Sequence, residues 1–400
     1  MPCERSQFRT LRFLILNRDY PDFLSWFYAQ HPGLQKGLYE QQLKARLESL
    51  FGWVDFYSSN LGRLGHEAWS VHVNNEFMQK AWAREHGLQV GEGSSVRDRM
   101  WALRKLAGRT PVRHLRPLCR PLLGSGDGAP PWFYDILASQ IKTYKPDILL
   151  NQCMYGISNR FLHEMKSYIP FLIGQHAATP LSDSDGWNCY DLVISSFPPT
   201  VEHFRQKGLR AELHRLGFDP KVLSCLVAEE RTTDITFIGS FHKVHRTRTR
   251  FLETVCVRFP QLKIWGQPID SLSPASPLRK CYVGQAWGRQ MYQIFRKSKI
   301  TLNHHGDVGP YANNFRLYEA TGVGSLLITD WKENLHEMFE LGKEVVAYRT
   351  PEECVELLSY YLDHDEERES IAGAGQQRTL RDHNYDQRMR ELLEIVRRYA

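Results

Sequence analysis

No C-x-x-C pair occurs among the eight cysteines of this chain, and the eight (Cys3, Cys119, Cys153, Cys189, Cys225, Cys256, Cys281, Cys354) are scattered along it. Such spacing makes neither a zinc ribbon nor a disulfide framework, and reduced, buried thiols are expected. No apolar run is long enough to span a membrane. The run nearest the amino terminus, Phe13 to Leu16, passes at once into Asn17, Arg18 and Asp19, which leaves no signal peptide there. A strong excess of one charge is missing too: 51 Lys and Arg face 45 Asp and Glu, for a net +6. The arginines do not interleave with aromatics in one patch, so a nucleic-acid binder is disfavoured. By elimination the chain reads as cytoplasmic and globular, with a peripheral membrane contact left open. Its 400 residues are too many for one core and comfortable for two.

What is present is an alternation of short apolar strands with helices. RFLIL from Arg12, WSVHV from Trp69, ILLNQ from Ile148, PFLIG from Pro170 and YDLVIS from Tyr190 read as strands. Between them lie helical spacings over Phe23 to Gly62, Trp132 to Thr143 and Pro198 to Lys207. The aromatic stripe of the first reads as core. Asn74 and Asn75 cap a further helix. Helix, short turn and buried strand make a parallel-sheet unit. A second series begins at Asp234 with ITFIGSF and runs through LKIWG, CYVG and KITLN. Gly217 to Pro220 and the polar run Ala228 to Thr233 look like a linker. The expected fold is α/β, with two tandem Rossmann-like parallel-sheet domains facing a cleft. The domains are 1–225, with a basic helical insertion at about 97–131, and 226–385. A carboxyl-terminal helix over 386–400 is free to pack back on the first.

The stretch Tyr311 to Asp330, YANNFRLYEATGVGSLLITD, constrains most. Asn313 and Asn314 are good N-cap residues, Phe315 and Tyr318 share a helical face, Gly322 and Gly324 end the helix, and Leu326 to Ile328 form a buried strand. A helix start in such a loop offers bare amides and a positive dipole end to a phosphate. The preceding strand ends in His304 and His305 beside it. A vicinal pair cannot share one face, so this is not read as a metal site. Glu319 is a carboxylate in an apolar, small-residue pattern, where an unpaired charge is costly. A ribose diol justifies it, and so does an i,i+3 ion pair with Arg316 on a solvated face.

Other candidates lie at strand ends. Gly239 and Ser240 close ITFIGS and are followed by a basic turn with His242, Lys243, His245, Arg246, Arg248 and Arg250. Glycine there permits close backbone approach to an anion, and the basic residues neutralise it. In the first half, the turn holding Asp19 follows RFLIL, His66 follows a glycine at a strand start, and His176 follows PFLIG at the edge where open α/β sheets place ligands. For His66 a surface position, and for His176 a satisfied structural one, are the competing readings. Arg97 to Arg120 is a basic concentration that reads as a solvated insertion or as a contact for an anionic acceptor or headgroup.

Three segments, ANNFRLYEATGVGSLLITD, KEVVAYRTPEECVELLSYYL and ERESIAGAGQQRTLRDHNY with Arg388, carry a family resemblance. Ser298 to Val396 resembles the carboxyl-terminal domain of GT-B-fold glycosyltransferases, most closely the spore-maturation-protein (CgeB-like) group. The resemblance implies that Glu319 binds the ribose of a nucleotide sugar, with Gly324 as the accompanying glycine. It implies that Asn313 and Asn314 face the distal phosphate, that Gly239 and Ser240 approach the diphosphate, and that Tyr282, Val283 and Gly284 hold the base. It also implies that His176 lies near the donor sugar. Tyr311 stands where such enzymes carry a first glutamate, so the contact that reads the sugar hydroxyls is not carried over.

The expected activity is glycosyl transfer from a nucleoside-diphosphate sugar to an unknown acceptor, without a bound metal or other cofactor. Arg248 or Arg316 would neutralise the leaving diphosphate. An inverting reaction needs a base, for which His176, His66 and Asp19 are the candidates; a retaining one does not. A nucleotide-sugar epimerase or hydrolase and a non-catalytic nucleotide-sugar-binding protein remain as alternatives.

Overall fold

The computed structural model describes residues 9–90, 129–177, 186–241, 245–307 and 309–400. The basic segment 97–120, with Cys3, Cys119, His242 and Lys243, lies outside them.

Two six-stranded sheets organise the chain. The first holds β1 (Arg12–Asn17), β2 (Glu67–His72), β3 (Ile148–Asn151), β4 (Phe171–Gln175), β5 (Leu192–Ser195) and β6 (Ala211–Leu213), in the order β2-β1-β3-β4-β5-β6. The second holds β7 (Thr233–Ser240), β8 (Lys263–Gln267), β9 (Tyr282–Gly284), β10 (Ser298–Asn303), β11 (Leu326–Asp330) and β12 (Val346–Tyr348), in the order β12-β11-β10-β7-β8-β9. Both are parallel. Leu14 pairs with Trp69 and Leu149 on either side, and Ile300 pairs with Ile235 and Leu326. Helices cover both faces, which is why the central strands are apolar runs rather than alternations. Phe13 to Leu16 and Leu326 to Ile328 are fully buried.

By contacts, the described residues form two compact units. One takes Met1–Leu47, Trp53–Gln175 and Leu181–Val193; the other takes Glu48–Gly52, His176–Pro180 and Ile194–Ala400, so the division falls within β5. In the second unit Ile235, Phe237, Ile264, Ile300, Leu302, Leu326 and Ile328 pack against Phe251, Leu252 and Val255 of the Arg246–Arg258 helix and Leu358 and Tyr361 of the Pro351–Asp363 helix. The short loop Glu48–Gly52 is held there by backbone: Arg289 N–H donates to the Ser49 carbonyl at 2.8 Å. A Cβ at Gly288 would lie 1.9 Å from that same oxygen, at a φ of +49°.

Local signals account for the helix starts. Asn75 accepts from the Met78 amide, Thr350 from the Glu353 amide and Asn384 from the Gln387 amide. Pro351 opens its helix, and Glu353 reaches back to the Arg349 N–H at 2.6 Å.

The fold corrects the sequence reading at three places. Cys256 and Cys281 are paired as a disulfide between the Arg246–Arg258 and Leu278–Cys281 helices, where reduced thiols were expected. Spacing carried no hint of it, because the two meet only once β8 and its flanking helices are folded. Gly217 to Pro220 is packed rather than a linker: Phe218 is buried and exchanges backbone hydrogen bonds with His383 and Tyr385. A Cβ at Gly322 would strike the Phe218 ring at 2.5 Å. The helix expected to begin at the two asparagines begins at Arg316, and its N-cap position is Phe315.

Candidate functional site

In an open parallel sheet, ligands lie beyond the carboxyl ends of the strands where the strand order reverses. In the second sheet that reversal falls between β7 and β10. Gly239 and Ser240 end β7 there, and Asn303 ends β10 with His304 and His305 directly after it. Gly239 faces Gly266 across the β7–β8 pair, and a Cβ on Gly266 would sit 1.9 Å from the Gly239 carbonyl oxygen. The strands approach so closely that no side chain fits between them.

Two guanidinium groups converge on the end of β7. Arg248, in the first turn of its helix, donates to the Ser240 carbonyl and stands 5.7 Å over the Phe237 ring. Arg316 donates to the Ile238 carbonyl at 3.1 Å and stands 4.5 Å over the Phe295 ring. Arg316 has a carboxylate partner, Glu319; Arg248 has none among the described residues, and its Nε is buried without a hydrogen-bond partner. Burial pushes the Arg248 pKa down to about 10, with Arg316 adding to it, and Asp307 and Asp330 only partly offset this. A cation so placed is short of an anion.

Glu319 is 8% exposed, on a helix (Arg316–Gly322) buried on every side. The i,i+3 pair with Arg316 therefore forms, but in the interior and not on a solvated face. The Tyr292 hydroxyl also acts on the carboxylate. Burial raises the Glu319 pKa, with Arg316 and Tyr292 opposing it. Tyr292 carried no sequence signal, since one aromatic in an amphipathic helix reads as core.

A third group sits at the ends of β10 and β11. Asp330 accepts from the His305 backbone N–H at 2.9 Å and from its ring Nδ1 at 2.6 Å, and lies 3.3 Å from Lys332 Nζ. Burial alone would raise the Asp330 carboxyl, but the His305 hydrogen bond, with His304 and Lys332, holds it well below the usual carboxylate range. His304 stacks on Phe251, with centroids 4.7 Å apart, and its Nδ1 is 3.1 Å from the Tyr348 hydroxyl. Burial pushes its pKa down, against the pull of Asp330. Asp330 was legible as a strand end; its meeting with His305 was not, because 25 residues separate them.

The remaining residues singled out from sequence fall in several places. Asn314 accepts from the Leu317 amide at 3.4 Å and donates to Asn303 at 3.0 Å, so it does part of the capping. Asn313 lines a small cavity of about 10 Å³ with Arg215, Tyr318 and Asn334, apart from the arginine pair. Tyr311 packs edge-on against Phe197 at 6.1 Å. Tyr282 donates to the Gly266 carbonyl at 3.1 Å, and Gly284 has a φ of +147° with open space where a Cβ would be. His176 is buried, and its N–H bonds the Ile194 carbonyl at 3.1 Å.

The other two candidates belong to the first unit. Asp19 is buried in a bidentate pair with Arg46, 2.6 Å at the closest, and lies 3.1 Å from His72. Burial favours the neutral acid, but Arg46 and His72 together hold the carboxyl well below its ordinary range. It has no proton to trade near neutrality. His66 accepts the Leu11 N–H at 3.2 Å, at the amino end of β1 and thus at the edge of the sheet away from ligands.

Over residues 246–394 the chain matches the family described as Glycosyl transferase-like. No curated protein matches it in sequence. Solved structures of the same fold include a glycosyltransferase from Rickettsia africae ESF-5, at 10% identity and a TM-score of 0.57, over 98% of this chain and 99% of that one. Anabaena Alr3699/HepE, solved with UDP and glucose, aligns at 12% identity and 0.55 over 97% and 100%. AviGT4, a glycosyltransferase involved in avilamycin A biosynthesis, aligns at 14% and 0.54 over 97% and 98%. The two Rossmann-like sheets are therefore a GT-B fold. Fold and family match together make this an enzyme of the glycosyltransferase class.

Proposed function

We propose that the enzyme transfers a glycosyl group from a nucleoside-diphosphate sugar, that the end of β7 takes the diphosphate, and that it falls within the CgeB-like group its carboxyl-terminal segments resemble. The observation that carries this reading is the buried Arg248, unpaired by any carboxylate among the described residues and next to Arg316, at the reversal point of the second sheet. Bringing two guanidinium groups into a dry site is unfavourable until an anion with two or more negative charges joins them. The leaving diphosphate has that charge. Neutralised by arginine, it does not call for a divalent cation, and turnover should persist in a chelator. Anabaena Alr3699/HepE, solved with UDP-glucose, makes uridine nucleotides sensible first probes.

Glu319 would take the ribose hydroxyls with the carboxylate oxygen that Arg316 leaves free. Glu319→Ala should then raise the donor KM by about tenfold and lower kcat far less, because a binding contact is lost in ground and transition states alike. Among the candidate bases, His176 at the end of β4 suits an acceptor-side role. His176→Ala should abolish transfer while leaving nucleotide affinity intact if the reaction inverts, and should spare transfer if it retains. Free sugar released without an acceptor would instead point to a hydrolase.

The test is a thermal-shift and calorimetric screen with uridine, adenosine and guanosine diphosphates on the parent and on Arg248→Met. A ligand that binds only the folded state raises the melting temperature by mass action. Arg248→Met should melt no lower than the parent without ligand, since it removes a buried, unpaired charge, and should lose about tenfold or more of the diphosphate affinity. Equal affinity in the two proteins would overturn the assignment.

A further inference from the structure

Two buried histidine-carboxylate pairs occur in the described residues, and one of them belongs to the same sheet as the arginine pair. In the first unit Asp19, which lies against His72, is locked to Arg46. His305 follows the end of β10, the strand beside β7, and Asp330 ends β11, the next strand out; Asp330 is close enough to Arg248 to act on its charge. The His305 ring is 2% exposed, its Nδ1 is fixed on Asp330, and its Nε2 is buried with no hydrogen-bond partner among the described residues. An interior polar atom left unsatisfied is uncommon and calls for an explanation.

We propose that His305 donates its Nε2–H to the distal phosphate of the bound nucleoside diphosphate, with Asp330 as the positioning residue. This rests on the donor-site reading above and adds a third contact to it. With Nδ1–H given to Asp330, the ring is a donor at Nε2 only as the imidazolium. The shared use of Asp330 Oδ1 by the His305 backbone and ring fixes the direction of the ring. As the bond from the sugar carbon to the phosphate oxygen breaks, its electron pair stays on that oxygen, and a fixed donor stabilises the growing charge without reorganising.

The decisive experiment is calorimetric titration of parent, His305→Asn, His305→Gln and Asp330→Asn with uridine, adenosine and guanosine diphosphates and the matching monophosphates. Asparagine keeps an amide for Asp330 but has nothing at Nε2; glutamine places an amide N–H near Nε2. His305→Asn should bind the preferred diphosphate about tenfold or more weakly and its monophosphate as the parent does, with glutamine restoring part of the loss. Asp330→Asn should weaken the diphosphate in the same selective way. If His305→Asn binds both ligands as the parent does, or weakens both equally, the inference is overturned and the donor-site reading stands. If the parent binds no diphosphate, the donor-site reading itself falls. Monophosphate binding doubles as the check that each variant is folded.

Discussion

At the scale of single residues, two buried histidines fix the acid limb of stability. His383 accepts from Arg388 Nη2 at Nδ1, 2.9 Å away, and its Nε2–H donates to the Met338 carbonyl at 2.7 Å. His214 donates from Nε2 to the Arg388 carbonyl at 2.9 Å. Burial lowers each pKa to about 4. The fold thus prefers the neutral rings, while the unfolded chain takes up a proton near 6.5. Their stabilisation is complete above about 6.5 and is lost as pH falls toward 4, by something on the order of 2–3 kcal/mol each. The melting temperature should therefore fall steadily between pH 6.5 and 4.5. His383→Gln, which has no titrating ring, should flatten that slope. Gly266 makes a second residue-scale case. With backbone facing its missing Cβ at 1.9 Å, neither strand can yield cheaply, and Gly266→Ala should cost about 3 kcal/mol or more in chemical denaturation.

At the scale of elements, what was legible depended on whether the cause was local. Strands such as LLITD and the helix start capped at Asn75 are written in neighbouring residues, and both were readable; the Thr350-Pro351-Glu352-Glu353 helix start is as local. Thr350→Ala should cost about 1 kcal/mol and lower the melting temperature by about 2–4 °C. The Arg316–Gly322 helix is the contrary case. Its periodicity suggested one buried face, whereas every residue from Leu317 to Gly322 is buried. Neighbours distant in sequence supply the rest of its cover: Phe218 on Gly322, and Thr379 bonded to Thr321 at 2.6 Å. The same limit explains the candidate site. Arg248 and Glu319 stood out because a charge beside a strand end or in an apolar pattern is conspicuous. Tyr292 and the His305–Asp330 pair did not, because their meaning comes from a partner on another element.

At the scale of the whole chain, the two parallel sheets followed from alternation of strands and helices, and the fold bears them out as GT-B. Among the described residues no helix is long and apolar enough to cross a membrane. The finer partition was out of reach because contacts ignore chain order. Glu48–Gly52 and His176–Pro180 fold with the carboxyl-terminal unit from far upstream. The seating of Ser49 on Gly288 and Arg289 makes this more than a boundary detail. No single cut yields the carboxyl-terminal unit intact: a fragment beginning at residue 194 leaves Arg289 N–H without its acceptor and strips the Ser49 backbone from Gly288. It should melt below the same unit in the full protein. A chimera that joins this unit to a different amino-terminal half inherits the seat for residues 48–52 without the loop that fills it, unless that half carries an equivalent loop.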